Sequence, residues 1–168
     1  MAADALGPKR MAEELRHVLS DKHLRGSFTR SIVDAHQIAE DRYNDSVDLA
    51  ECSLSRYQYY HAKSGLIVPF FVVLTCGYTG LVCNYILKMN GGNGVILAFD
   101  MIRRTFSFRT DRDDIDLSEL ARSLGGGGHR QAAGFTSEQL SNIVLQSTER
   151  FGTELSKHLN AAFAGKLV

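Results

Sequence analysis

The chain has 168 residues, with 19 Lys+Arg against 19 Asp+Glu, 15 Gly, 2 Pro and 3 Cys. This length bounds it to one compact domain with a helical arm, and 44% hydrophobic residues with so few cysteines exclude both a disordered chain and a disulfide scaffold. Zero net charge excludes a protein that coats nucleic acid by charge alone, so any nucleic-acid role must come from a local site.

In chain order, the N-terminus has no apolar core of signal-peptide length, and Asp4, Glu13 and Glu14 are foreign to a transit peptide, which gives a cytoplasmic expectation. Between Gly26 and Gly65 there is no Gly or Pro, and Ala39, Tyr43, Val47, Ala50, Leu54 and Tyr57 recur at steps of three and four. That spacing predicts one long amphipathic helix. Its stretch of chain, residues 1–63, carries 9 basic and 10 acidic side chains and so offers no basic face. It reads as a connecting arm, with residues 64–168 as a separate domain. Cys52, Cys76 and Cys83 form no C-x-x-C pair and are odd in number, so reduced thiols are expected rather than a bridge or a zinc site.

Ser64 to Leu87 is a run of 24 residues without charge, long enough to raise a membrane span. Its densest block, LIVPFFVVL, is β-branched and aromatic and is followed by the turn CGYTG, so the run predicts a buried strand and then a short helix, with no membrane partner. Beyond a Gly-rich turn at Asn90–Gly94 come apolar VILAF, a reversal at Asp100–Arg104 and the alternating strand TFSFRT. The alternation sends Phe106 and Phe108 to the core and Ser107 and Arg109 to the opposite face. Asp116 and Glu119 stand at capping-box spacing for a helix that Gly125 can end. Thr136 with Gln139 predicts the cap of a last helix with Leu140, Ile143, Val144, Phe151 and Leu155 on its apolar face. The fold class expected is α/β: a mixed β-sheet domain with flanking helices, preceded by a long N-terminal helical connector.

Four consecutive glycines, Gly125, Gly126, Gly127 and Gly128, lead into His129. Such a run lets several N–H groups converge on one anion and lets a ligand approach the main chain. If HRQAAG begins a helical turn, the imidazole of His129 joins the positive end of a helix at a phosphate. A bare tetraglycine reads as a flexible connector, but a capped helix before this one and an apolar AAGF after it predict an ordered loop.

LARSLGGGGHRQAAGF, preceded by FSFRT and the acidic DIDLSEL, resembles the DHH-associated C-terminal domain, the substrate-binding module of DHH phosphoesterases. These include RecJ-type exonucleases, nano-RNases and phosphatases acting on 3'-phosphoadenosine 5'-phosphate. The resemblance covers roughly Pro69 to Phe135, and the Gly-free helix before it resembles the family's interdomain connector. It implies that the glycine loop and His129 hold substrate phosphate and that an arginine on the neighbouring strand reaches the nucleotide. Arg109 is the best positional match, its face having been assigned independently by the alternation, against the simpler reading of an ion pair with Asp111 or Asp113. Arg103, Arg104 and Arg130 match less well.

The family's metal-binding catalytic motifs have no counterpart: there is no Asp-His-His, and Asp34-Ala35-His36 is only an echo of it inside the helix. No catalytic residue and no cofactor are therefore assigned to this chain, and manganese or magnesium is expected only in a DHH domain supplied elsewhere. The acidic group Asp111, Asp113, Asp114 and Asp116 lacks the glycine and the glutamate of a calcium loop, and no Gly-Lys-Ser/Thr follows the glycine run. The expected function is a nucleotide- or nucleic-acid-binding module, its partner a short oligonucleotide or nucleotide. The alternatives are a phosphodiesterase completed in trans by a DHH catalytic domain, and a non-catalytic scaffold or homodimer using the helix of Tyr43, Tyr57, Tyr59 and Tyr60.

Overall fold

The computed structural model describes residues 30–61 and 65–146, together with residues 13, 16 and 157. The chain divides into two compact units, 1–45 and 46–168. In the first, the described chain is the opening of helix α1 (Arg30–Ser53). Ile32, Ala35 and Ala39 are buried there, while Val33 and Ile38 are exposed. Its surface carries helical neighbour pairs four residues apart, Arg30 with Asp34 and Gln37 with Asp41.

The last turns of α1, from Ser46, belong to the second unit. The helix stops at Ser53, and Ser55–His61 is strand β1, so the predicted helical stripe is corrected beyond Ala50: Leu54 and Tyr57 do not continue it. The segment SRYQYYH alternates, burying Tyr59 against the core while Gln58 and Tyr60 face out, and tyrosines suit a pleated, half-buried surface. Of the tyrosines assigned to the helix, only Tyr43 lies on it.

Strand β2 (Leu66–Thr75) contains the predicted buried strand, and helix α2 (Thr79–Met89) follows the CGYTG turn, in which Gly77 has φ +112° and Tyr78 φ +49°. Strands β3 (Val95–Asp100) and β4 (Thr105–Thr110), helix α3 (Leu117–Ser123), strands β5 (Gly127–His129) and β6 (Ala132–Phe135) and helix α4 (Glu138–Gln146) complete the described chain. The six strands form one sheet in the order β1-β2-β3-β4-β6-β5. β2 and β3 are parallel, joined across α2, and the other neighbours are antiparallel. This is the expected mixed α/β fold.

One sheet face carries the aromatic core. Phe70, Phe99, Phe106, Phe108 and Phe135 pack with Leu117 and Leu120 of α3 and Leu140 and Val144 of α4. The Phe106 and Phe135 rings stack at 4.8 Å. Asp116 caps α3, its carboxylate accepting from Ser118 N at 2.8 Å. The helix ends in a Schellman motif, Gly126 N donating to Ala121 O and Gly125 N to Arg122 O, with Gly125 at φ +79°. At α4 the cap is Ser137 rather than Thr136: its hydroxyl accepts from Leu140 N at 3.3 Å, three residues on, where a cap of a helix beginning at Glu138 must stand. Phe151 and Leu155 lie outside the described residues.

On the β2 edge the sheet changes partner. β1 pairs only as far as Val72. Beyond it, Ser53 Oγ accepts from Leu74 N at 2.8 Å, and Ser46 Oγ accepts from Cys76 N at 3.1 Å and donates to Gly77 O at 2.7 Å. These two serines, seven residues apart on α1, take up backbone groups that a strand would otherwise satisfy.

Candidate phosphate-binding floor

The glycine run is a strand entry rather than a helix start. Gly127–His129 is β5, an edge strand that pairs with β6, so the expected helical turn at HRQAAG is replaced by a hairpin, and no helix N-terminus meets His129. The physical cause is the core: Ala133 and Phe135 alternate inward, a period of two that a helix cannot supply.

The register then fixes which residues share a face. Ile96, Arg109, Ala132 and His129 form one cross-strand row, and Ala98, Ser107, Gly134 and Gly127 form the next. Residues opposite one another across paired strands project to the same side. Both rows lie on the face turned away from the phenylalanines, as the alternation of β4 predicts. Arg109 and His129 are two strands apart, about 10 Å between backbones, and between them stands nothing taller than a methyl group. Gly127, Ala132 and Gly134 are half-buried and His129 is exposed. The result is a flat floor with a guanidinium on one side and an imidazole on the other.

The four glycines serve different purposes. Gly125 supplies the left-handed turn after α3. A Cβ on Gly126 would overlap the Gly134 carbonyl and the Phe135 backbone, and one on Gly128 (φ +143°) would press on Ala132 O at 2.6 Å. Gly127 differs: its φ is not positive and a Cβ there would meet nothing within 4 Å. Backbone conformation and packing explain three of the run, and the one left over lies on the floor.

Arg109 donates from Nη1 to Phe108 O at 3.0 Å, and among the described residues no carboxylate pairs with it, so the ion pair with Asp111 or Asp113 is not formed. Its guanidinium lies against Gly80 of α2, where a Cβ would sit 3.1 Å from Nη2. Helix α2 packs on β3 and β4. Its start is fixed by buried Asp100, whose carboxylate accepts from Thr79 Oγ1 at 3.0 Å and from Ile102 N and Arg103 N. Gly80, Ser107 and Gly134 were not assigned to the site from the sequence; the alternation of TFSFRT already places Ser107 on the face of Arg109, but the place of Gly80 is visible only in three dimensions. A cavity of about 400 Å³ opens further along α2, lined by Asn84, Lys88, Gly91, Gly92, Thr110 and Asp111, and holds none of the residues assigned to phosphate.

The acidic group is committed elsewhere. Asp111 accepts from Asn93 N at 2.6 Å and Gly94 N at 3.1 Å, Asp113 from Gln131, Asp114 from Arg112 at 2.7 Å, and Asp116 caps α3. Contact with Ser118 holds the Asp116 carboxyl below its ordinary value. Among the described residues no cluster of three or more His, Cys, Asp or Glu could hold a metal ion, so the donor set of the family's divalent metals does not fit them. Asp34 and His36 pair with neighbours on α1 instead. Cys83 is buried, which pushes its thiol up to about 12, and Arg109 opposes the shift. Among the described residues no helix is long and apolar enough to cross a membrane.

Helices on both sides of a mixed sheet, with an uncovered strip of strands between Arg109 and His129, define an α/β sheet domain. The sequence matches the DHHA1 domain over residues 73–162, more than half of its length, and the chain belongs to that family, the DHH-associated domains. Among solved structures it is similar to a pGpG-specific phosphodiesterase, PggH, from Vibrio cholerae, with 13% identity and a TM-score of 0.51 over 84% of this chain and 51% of that one. It is also similar to an uncharacterized protein from Helicobacter pylori G27, with 18% identity and a TM-score of 0.37 over 82% of this chain and 38% of that one. The chain thus spans about half or less of each neighbour's length. No curated protein matches it.

Proposed function

We propose that this chain binds the phosphate of a short oligonucleotide or nucleotide on the floor between Arg109 and His129, as the substrate-holding part of a DHH-type phosphoesterase. The observation that carries the reading is Arg109, half-buried, in one cross-strand row with Ala132 and His129 and without a carboxylate partner among the described residues. A cation so placed is stabilised by an anion, and a phosphate offers several oxygens to a guanidinium and an imidazole at once. Gly127 and Gly134 keep the floor low enough for that anion to reach the strands. Hydrolysis, and the manganese or magnesium it needs, belongs in this reading to a DHH domain outside the described residues. The likeness in fold to a pGpG-specific phosphodiesterase from Vibrio cholerae supports a phosphate-bearing ligand.

The test is a titration of 5'-phosphorylated dinucleotides and mononucleotides against wild type, Arg109→Ala and His129→Ala. A charge-assisted contact contributes about 1.5–3 kcal/mol, so each substitution weakens binding by roughly 10- to 150-fold. Equal affinity in all three proteins would remove the site.

A further inference from the structure

We infer that Gly80 is a positioning residue for Arg109: the absent side chain at the second residue of α2 is what lets the guanidinium lie against the helix. The inference rests on the reading of Arg109 as the phosphate contact.

The backbone does not explain this glycine. Gly77 and Gly65 take positive φ, but Gly80 is helical and its φ is not positive. Within a helix, glycine is less favourable than alanine, so the fold alone would gain from a methyl group there. What the methyl group would meet is Arg109. A Cβ on Gly80 lies 3.1 Å from Nη2 and 3.8 Å from both Cζ and Nε, and no other atom is among its three nearest neighbours. The guanidinium is the movable partner. The helix start is fixed by Thr79 on Asp100, and β4 is fixed on both sides by β3 and β6. Any side chain at position 80 therefore moves the tip of Arg109 and strains its bond to Phe108 O. Cys83, one turn further along α2, senses the same cation, which places Arg109 along this side of the helix.

The experiment uses the full chain as wild type, Gly80→Ala, Arg109→Ala and the double variant. Two quantities are measured: affinity for a 5'-phosphorylated dinucleotide, and the Nε–H resonance of Arg109 in the ligand-free protein by 15N NMR. Gly80→Ala is expected to move the Arg109 resonance, to melt no lower than wild type, and to weaken binding about tenfold or more. In the Arg109→Ala background the same substitution should change affinity by less than about twofold, because the group it displaces is gone. An unmoved resonance, or an equal loss in both backgrounds, overturns the inference. If Arg109→Ala alone binds like wild type, the phosphate reading fails, while the resonance still decides whether Gly80 seats the arginine.

Discussion

The division of labour among the glycines yields the sharpest prediction, since it sets two adjacent substitutions against each other. Gly126→Ala places a methyl group into the Gly134 carbonyl and the Phe135 backbone, and neither can retreat because β6 is paired on both sides. Overpacking of this kind costs about 1–3 kcal/mol. At about 2–4 °C per kcal/mol for a chain of this size, Tm falls by roughly 2–12 °C. Gly127→Ala adds the same methyl group where nothing lies within 4 Å and φ is not positive. Restricting the unfolded chain then stabilises the protein by about 0.5–1 kcal/mol, so Tm holds or rises by roughly 1–4 °C. In binding the neighbours trade places. The methyl group on Gly127 stands on the floor where the phosphate is proposed to sit, and affinity for a 5'-phosphorylated dinucleotide should drop about tenfold or more. Differential scanning fluorimetry and fluorescence titration on both variants suffice. If Gly127→Ala destabilises as much as Gly126→Ala, or binds the dinucleotide like wild type, the assignment of one glycine to ligand and three to fold is wrong.

Three further outcomes follow from the same geometry. Ser46→Ala removes the hydroxyl that joins Cys76 N and Gly77 O, leaving partly buried backbone groups without it; urea unfolding should show a loss of about 1 kcal/mol or more. The Asp116 carboxyl is held below its ordinary value of 3.8, so its contribution is present above the unfolded value and is lost as pH falls through the lower folded one. Thermal melts from pH 6 to pH 2 should therefore show a steeper acid decline in wild type than in Asp116→Ala, with the difference closing below about pH 3.8. The buried Cys83 thiol, raised to about 12, should resist alkylation at pH 8 in the native protein, while exposed Cys52 reacts at once. Mass spectrometry of timed labelling separates the two, and Cys83 labelling as fast as Cys52 would contradict its burial.

The sequence already showed the elements whose cause is local. The phenylalanines of TFSFRT assign the faces of β4 by alternation alone, Asp116 announces the start of α3 and Gly125 its end, and each stands where it was read. β1 was not legible, because Leu54 and Tyr57 continue a helical spacing by coincidence. What makes Ser55–His61 a strand is the open edge of β2, the next strand of the chain, which needs a partner. The hairpin after the glycines was hidden for a related reason: HRQAAG is compatible with a helical turn, and only the demand of the aromatic core for Ala133 and Phe135 selects a strand. His129 and Arg109 could each be picked out singly. That they share a face follows from the register through Ala132, and that Gly80 lies under the guanidinium follows from the packing of α2; neither is written in adjacent residues.

The change of partner along the edge of β2 has a consequence for how the molecule can be cut. A protein started at residue 64 would lose β1 together with the two serine hydroxyls that cover Leu74 and Cys76, and would present the whole apolar length of β2 as a naked template. Such an edge recruits other chains and forms aggregates. Started at Ser46 or earlier, the same sheet keeps both its strand and its helical hem. The last turns of α1 are thus less a spacer between modules than the selvedge of the sheet, the finished border that keeps it from unravelling into its neighbours.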